Sequence, residues 1–325
     1  MEPALYPLKF IPILKDKIWG GPKLRDVLGK SASDKAGESW EISGVEGDIS
    51  IAENGFLAGN SLQELAEIYL GDLLGDGIYD RFGVEFPLLI KFIDAADFLS
   101  VQVHPDNALA KERHNSYGKT EMWYIVESEK GQLIAGFNRK LEREQYLQHF
   151  NGGTLKEILN YEDVAPGDIY FMPAGRVHAI GTGVLLAEIQ QTSDVTYRIY
   201  DWDRTDDLGT PRELHTDLAL DAIDYSFHKQ YKTPYQALPN NTINAVDSPF
   251  FTTSVIQLDQ PVEKDFNMID SFVIYMCMEG AAGIAYGKGE VVSIKKGETV
   301  LIPADLKNLA LIPTEASTLL EVYIK

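Results

Sequence analysis

One motif, which occurs twice along the chain, constrains the fold more than any other feature of the sequence. Residues 166–180 read PGDIYFMPAGRVHAI, and residues 296–310 read KGETVLIPADLKNLA. In both copies a glycine is followed by five residues and a proline, but the first copy continues to His178, whereas the second has Asn308 at that place. A repeat of this kind indicates two copies of one β-unit. Because the second copy lacks the imidazole, we expect any metal chemistry to belong to the first.

The rest of the sequence is typical of short β-strands. Apolar runs of four to eight residues, rich in Val, Ile, Tyr and Phe, are bounded by Gly, Pro, Asp or Asn. This pattern indicates a sandwich or a barrel. We therefore predict a fold dominated by β-structure with a few short helices. Strands are predicted over residues 87–92, 98–103, 122–127, 132–137, 169–173, 183–190, 251–258, 271–278, 290–294, 299–303 and 318–323.

Four segments carry helix signals. Ser61 and Glu64 form a capping box at the start of an apolar segment with helical spacing. A second helix is predicted over residues 141–150, and a short one opens at Thr154. Pro211 is predicted to be the first residue of a fourth helix, because proline suits that position.

The length of 325 residues favours two domains. Segment 230–241 contains two prolines, several polar residues and no periodic pattern, so we interpret it as the link between them. We predict a catalytic, metal-binding domain with short helical insertions over residues 1–235 and a degenerate, non-catalytic domain over residues 236–325.

The charge and the cysteine content exclude several classes of protein. Lysines and arginines number 29 against 49 aspartates and glutamates, which gives a formal net charge of −20. Negative charge of this size repels nucleic-acid phosphates and anionic lipids, so we expect neither as a partner. The single cysteine, Cys277, excludes an intrachain disulfide and a cysteine-cluster zinc site. Since we find no signal-peptide pattern and no apolar stretch of about 18 residues, we expect a cytoplasmic protein that does not span a membrane.

Side chains that bind metals lie on or beside the predicted strands. Because side chains alternate along a strand, Ser100, Gln102 and His104 share one face. Glu121 lies at the start of a later strand, and His178 follows the turn of the first repeat. Two imidazoles, a carboxylate and an amide suit zinc, iron, nickel or manganese, among which the sequence does not choose. A lone histidine is more often a hydrogen-bonded structural residue, which is our interpretation of His114, His149, His215 and His228.

Several charged residues are candidates for the same cavity. Glu188, Asp194 and Arg198 lie on the segment that leaves the metal-site turn, and the alternative is a solvated loop beside an edge strand. Lys91 stands in an apolar run, where a lysine must be paired or face a cavity. Lys119 precedes the candidate carboxylate ligand by two residues and shares its strand face.

The spacing around His178, which reads glycine–x5–proline–x–glycine–x2–histidine, resembles the second sequence motif of cupins. The first cupin motif matches poorly, because Gln102 stands in place of its first histidine. Together the two motifs favour a cupin jelly roll.

The chain as a whole resembles the type I mannose-6-phosphate isomerases (phosphomannose isomerases) in their short bacterial form. The motifs that carry this resemblance are WGG at 19–21, GESWEIS at 37–43, LSVQVHPD at 99–106, KTEMWYI at 119–125, PAGRVHAIGTG at 173–183 and AEIQQTSDVTYRIYDWDR at 187–204. The resemblance implies two cupin jelly rolls and one divalent metal per chain, expected to be Zn²⁺. It implies that the metal ligands are Gln102, His104, Glu121 and His178. The resemblance also implies that six further residues lie in the same pocket, namely Arg198, Lys91, Lys119, Ser100, Glu188 and Asp194.

The implied reaction interconverts mannose 6-phosphate and fructose 6-phosphate through a cis-enediol, so the expected partner is a small sugar phosphate. This reaction needs a base that reaches two carbons and an electrophile for the enediolate oxygens. We expect Glu188 or Asp194 to carry the proton, with Lys119 as the rival base. Arg198 is expected to act in catalysis, and the phosphate is expected to meet Lys91 and Ser100.

Two other functions fit the metal-site residues taken alone. Two histidines and a carboxylate with open positions are also the pattern of a non-haem iron oxygenase, although a glutamine ligand would fill one of those positions. An isomerase needs no oxygen, so an anaerobic assay separates the two. The other alternative is a sugar-binding or storage protein that kept the fold and lost turnover.

Overall fold

The computed structural model describes residues 5–205 and 209–325, and β-structure dominates them. The strands are β1 (Ile13–Asp16), β2 (Ala36–Ile42), β3 (Leu88–Ala95), β4 (Val101–Val103), β5 (Glu121–Ser128), β6 (Gln132–Phe137), β7 (Leu159–Asp163), β8 (Ile169–Met172), β9 (His178–Ile180), β10 (Val184–Gln191), β11 (Tyr197–Tyr200), β12 (Thr242–Asp247), β13 (Thr252–Leu258), β14 (Val262–Asp265), β15 (Val273–Glu279), β16 (Ala281–Tyr286), β17 (Glu290–Lys295), β18 (Thr299–Ile302), β19 (Asn308–Pro313) and β20 (Ser317–Tyr323). The α-helices are α1 (Lys23–Asp26), α2 (Leu62–Leu74), α3 (Asp76–Phe82), α4 (Asn107–His114), α5 (Arg143–Asn151) and α6 (Thr216–Ala222). Two 3-10 turns span Gly55–Leu57 and Leu155–Glu157. None of the described helices is long and apolar enough to cross a membrane.

The strands form two sandwiches of two antiparallel sheets each. The N-terminal sandwich pairs a six-stranded sheet, in the order β1-β2-β3-β10-β5-β8, with a five-stranded sheet, in the order β11-β4-β9-β6-β7. The C-terminal sandwich pairs the sheet β12-β13-β20-β15-β18 with the sheet β14-β19-β16-β17. The predicted fold class, dominated by β-structure with a few short helices, is confirmed.

The alternation of side chains along the central strands explains how the two sandwiches pack. On β3 and β10, Phe92 and Ala187 face outward and share one apolar cluster with Ile274 and Leu320 of the C-terminal sandwich. The large sheets of the two sandwiches therefore pack back to back. The residues between these outward positions point into the N-terminal sandwich, and that interior face carries the polar side chains of the site.

The repeated motif forms the same strand and turn in both sandwiches. Gly167 precedes β8 with φ of 90°, and Gly297 precedes β18 with φ of 83°. Both glycines adopt a backbone conformation that other residues rarely take. His178 then begins β9 and is buried, whereas Asn308 begins β19 and is exposed. The two copies thus differ where the metal chemistry was expected to differ.

All eleven predicted strands are present, with ends that differ by up to three residues. The capping box at Ser61 is also confirmed, because its hydroxyl accepts a bond from the Glu64 amide while the Glu64 carboxylate accepts one from the Ser61 amide. Segment 230–241 contains no helix or strand beyond isolated bridges, as its composition predicted.

The helix predicted from Pro211 is wrong, because helix α6 begins only at Thr216. Tertiary contacts hold residues 211–215 outside the helix. Pro211 forms an isolated bridge with Thr205, and the Arg212 side chain binds Asp201. These contacts outweigh the local preference of proline for a first helical turn.

Candidate metal centre and active site

Three buried side chains meet inside the N-terminal sandwich. Ligand atoms of His104, Glu121 and His178 all lie within 4.8 Å of one another. His104 Nε2 is 3.2 Å from Glu121 Oε1, and His178 Nε2 is 3.6 Å from Glu121 Oε2. Each of the three side chains is at most 2% exposed. Within the described residues this is the one group of three such side chains that could hold a metal.

Both sheets of the sandwich contribute to this cluster. In the five-stranded sheet, Gln102 of β4 is the direct neighbour of His178 of β9, and His104 follows the end of β4. Glu121 begins β5 in the opposite sheet. The carboxylate therefore approaches the imidazoles from across the sandwich, and the cluster depends on the packing of the two sheets.

The hydrogen bonds of the two imidazoles leave their Nε2 atoms as lone-pair donors. Nδ1 of His104 donates to the Val195 carbonyl at 2.9 Å, and Nδ1 of His178 donates to the Arg176 carbonyl at 2.9 Å. This pattern fixes the neutral tautomer that binds metals through Nε2. Burial, together with the charge of Lys119, lowers the pKa of His104 to about 3, which also keeps it neutral.

Two atoms of the cluster, His104 Nε2 and Glu121 Oε2, are buried and have no hydrogen-bond partner in the part of the chain that the structure describes. An unpaired buried polar atom is costly unless a ligand satisfies it. Gln102 Nε2 is 3.3 Å from His178 Nε2, and a half-turn of the amide would present Gln102 Oε1 to the same space. The donor set of two imidazoles, a carboxylate and an amide oxygen fits a divalent cation.

A row of side chains crosses the inner face of the six-stranded sheet beside this cluster. Its members are neighbours on successive strands, in the order Trp40, Lys91, Glu188, Trp123 and Tyr170. Lys91 Nζ is 3.2 Å from Glu188 Oε1, and the Trp123 indole donates to Glu188 Oε2 at 2.8 Å. The Glu188 carboxylate is thus held from two sides in the buried interior.

Burial shapes the ionisation of this row. It raises the pKa of Glu188, and the negative charge of Glu121 adds to the effect against the opposing charge of Lys91. Burial alone would lower the pKa of Lys91, but the charges of Glu188, Glu38 and Glu121 outweigh it and raise that pKa. Lys91 therefore remains protonated, and its ammonium group also donates to Gln190 Oε1 at 2.8 Å.

Lys119 is buried next to the cluster, and Ser100 is buried in the same sandwich. Lys119 Nζ is 3.4 Å from Glu121 Oε1, with 8% of its side chain exposed. Ser100 is 4% exposed and lies just before β4, two residues ahead of Gln102.

Arg198 and Asp194 have different surroundings. Arg198 of β11 is the direct neighbour of Gln102, so its side chain starts from the same face of the five-stranded sheet. Its Nη1 donates to the Glu213 carbonyl at 2.8 Å, whereas its Nε is buried and has no partner among the described residues. Asp194 is exposed, and the structure does not bring its carboxylate into the buried group.

The sequence analysis missed several residues of the site. Trp123 and Gln190 bind the Glu188–Lys91 pair, and Trp40 places its ring 5.2 Å from Lys91 Nζ. Strand alternation from Glu121 and from Glu188 is the signal that could have indicated Trp123 and Gln190. His215, interpreted as structural, accepts a bond from the Arg198 amide, and no local pattern indicated this contact.

The chain thus has two sandwiches of antiparallel sheets, and the first contains a buried His/Glu/His cluster that could hold a metal. This architecture is that of a cupin-type protein. A sequence model of the phosphomannose isomerase type I catalytic domain matches residues 8–139. The model of the mannose-6-phosphate isomerase cupin domain matches residues 241–314. The chain belongs to the type I phosphomannose isomerase family.

Relatives of known sequence and structure support this assignment. The chain is 35% identical over 305 residues to mannose-6-phosphate isomerase of Streptococcus mutans, covering 93% of this chain and 94% of the relative. It is 34% identical to mannose-6-phosphate isomerase ManA of Bacillus subtilis, covering 92% and 94% of the two chains. The crystal structure of the mannose 6-phosphate isomerase from Bacillus subtilis superposes with a TM-score of 0.89 and 32% identity, over 98% of this chain and 100% of that one.

Proposed function

We propose that the protein interconverts mannose 6-phosphate and fructose 6-phosphate through a cis-enediol intermediate. The observation that carries this proposal is the buried cluster of His104, Glu121 and His178, with two unpaired ligand atoms and Arg198 one strand away. Family membership indicates which substrate to expect, because relatives that match at least 92% of this chain are named mannose-6-phosphate isomerases. The isomerisation moves a proton between two adjacent carbons, so it requires a positioned base and stabilisation of the developing oxyanion.

The residues that would hold a divalent ion are Gln102, His104, Glu121 and His178. Two imidazoles whose Nε2 atoms carry the lone pair and a carboxylate suit Zn²⁺, which is the metal we propose, at one ion per chain. When bound, such an ion acts as a Lewis acid that polarises a substrate oxygen.

We assign the proton transfer to Glu188. Its carboxylate is buried, and burial raises its pKa. A raised pKa suits a carboxylate that must accept a proton and then return it near the working pH of the enzyme. Trp123 and Lys91 fix its orientation. Lys119 remains the rival base, because its Nζ lies beside the cluster, 3.4 Å from Glu121 Oε1. As an ammonium group paired with a carboxylate, it must lose a proton before it can act as a base. Asp194 has weaker support, since it is exposed to solvent.

We propose that Arg198 stabilises the oxyanion that forms during proton transfer. Its guanidinium is charged at all relevant pH values and does not exchange protons readily, so it stabilises charge rather than carrying a proton. The unpartnered Nε is the donor that we expect to face the substrate. Lys91 and Ser100, which the sequence analysis proposed for the phosphate, both lie buried in the same sandwich.

We also propose that residues 1–235 carry all of the catalysis and that residues 236–325 support the fold. The exposed Asn308 at the position of His178 supports this division. We further propose a cytoplasmic location, with which the single cysteine is compatible.

The test is a coupled assay that follows fructose 6-phosphate formation from mannose 6-phosphate. We expect turnover that a chelator abolishes and that added Zn²⁺ restores, with equal rates in air and under anaerobic conditions. The variant His178→Ala should remain folded and lose both bound metal and turnover. If the metal-loaded protein shows no turnover, the isomerase function is excluded and a sugar-binding or storage function is favoured. If turnover requires oxygen, the oxygenase function is favoured.

A further inference from the structure

The side chain and the backbone of Arg198 are both held by one short segment that returns beside β11. The His215 amide donates to the Arg198 carbonyl at 2.7 Å, and the Arg198 amide donates to His215 Nδ1 at 3.1 Å. Arg198 Nη1 donates to the carbonyl of Glu213, within the same segment, at 2.8 Å. Three hydrogen bonds thus connect Arg198 to residues 213–215, which we call the return segment.

The return segment is itself fastened by a buried carboxylate. Asp201 is 5% exposed and lies just after β11. Arg212, next to the return segment, binds the Asp201 carboxylate in a bidentate manner, with Nε donating to Oδ2 at 2.7 Å and Nη2 donating to Oδ1. Arg204 Nη2 also donates to Asp201 Oδ1, at 2.7 Å. Bidentate pairs of this kind fix direction as well as distance.

We propose that Asp201, Arg212 and His215 are positioning residues that hold the Arg198 guanidinium in the orientation needed for catalysis. This inference rests on the proposed function of Arg198. A free arginine side chain samples many rotamers, and ordering it during the reaction would lower the rate. The Asp201–Arg212 pair fastens the return segment, the Glu213 carbonyl of that segment accepts a bond from Arg198 Nη1, and Arg198 Nε is left for the substrate.

His215 takes part through one specific tautomer. Its Nδ1 accepts the Arg198 amide proton, so in the neutral ring the proton lies on Nε2. Asparagine can present a side-chain oxygen at a similar distance from the backbone, whereas leucine cannot accept a hydrogen bond. His215→Asn is therefore the conservative variant, and His215→Leu is the variant that removes the contact.

The first test is a set of steady-state kinetics on mannose 6-phosphate. We expect Arg212→Gln and His215→Leu to lower kcat by about 10- to 100-fold with little change in KM, as small misplacements of catalytic groups do. His215→Asn should restore most of kcat. In an Arg198→Ala background the same two changes should lower kcat by less than about twofold, since they act through Arg198. Equal losses in both backgrounds would overturn the proposal.

A matched control is available on the surface. Asp221 is also shared by two arginines, Arg113 and Arg143, but this group is partly exposed. We expect Asp221→Asn to leave kcat and KM unchanged. A loss of kcat in this variant as large as in Arg212→Gln would show that the effect is general destabilisation.

The second test does not depend on turnover. Amide hydrogen exchange at Arg198, followed by NMR in the metal-loaded protein, should be slow in the wild type and at least about tenfold faster in His215→Leu and Arg212→Gln. Unchanged exchange in both variants would overturn the positioning role. If the wild type shows this protection but does not isomerise mannose 6-phosphate, the proposed function fails while the anchoring of Arg198 stands.

Discussion

Arg198 is the residue on which the proposed chemistry depends most. Its planar fork presents donors in fixed directions, which an ammonium group on a flexible stem does not. We expect Arg198→Lys to keep the fold and the metal and to lower kcat by about 100-fold, comparable to the loss of one oxyanion donor. Steady-state kinetics on mannose 6-phosphate provide the measurement. A raised KM with unchanged kcat would instead assign Arg198 to binding of the phosphate.

Ionisation of Glu38 makes the stability of the folded protein depend on pH. Burial opposes its ionisation, but the charges of Lys91 and Lys17 and the bond from the Trp40 indole outweigh burial and hold its pKa below the ordinary value of 4.5. As the pH falls through 4.5, the unfolded state binds this proton first, so the folded protein loses stability.

We expect the variant Glu38→Gln to show a shallower loss of unfolding free energy between about pH 5 and pH 3 than the wild type. Urea unfolding at several pH values gives the slope. Glu46→Gln removes the same charge at an exposed position and is the control. If the slope for Glu38→Gln equals that of the wild type, Glu38 does not contribute to acid sensitivity.

At the scale of elements, an ion pair lies where strand β2 meets the C-terminal sandwich. Lys30 Nζ is 2.7 Å from Glu41 Oε1 and donates to the Gly297 carbonyl at 2.7 Å. The side chains of Lys30 and Glu41 are only 7% and 3% exposed. Removal of one partner from such a pair leaves a buried charge uncompensated, which costs about 3–5 kcal/mol.

We therefore expect Glu41→Gln to lower the free energy of unfolding by about 3 kcal/mol or more. The same junction offers a comparison, because Lys9 and Glu298 form a pair whose side chains are 17% and 31% exposed. Glu298→Gln should cost less than about 1 kcal/mol. Chemical denaturation of both variants measures the difference, and similar losses would contradict the expected effect of burial.

At the scale of the whole molecule, the two sandwiches share an architecture but differ in metal-binding groups. Asn308 is exposed at the start of β19, and in the part of the chain that the structure describes the one suitable cluster lies in the N-terminal sandwich. We expect about one divalent ion per chain by metal analysis of the purified protein. The variant Asn308→His should not raise this content, since one imidazole lacks opposing ligands. A content near two ions would contradict the proposed division of roles.

The sequence by itself determined the class of fold and the members of the buried His/Glu/His cluster. Strand alternation and turn residues predicted where the central strands lie, because burial of one strand face imposes a period of two. The spacing before His178 and the resemblance to a family identified all three members of the buried cluster. Arg198, Glu188, Lys91 and Lys119 were also predicted as candidates.

Only the tertiary structure decided which of these candidates meet. Glu121 faces the imidazoles because two sheets pack against each other, and that contact has no local signal. Asp194 is exposed although it lies on the same segment as Glu188. The helix predicted from Pro211 does not form there, because Arg212 binds Asp201 and the neighbouring residues bind Arg198. Contacts between residues distant in sequence outweigh local propensities of a few tenths of a kcal/mol to about 1 kcal/mol per residue.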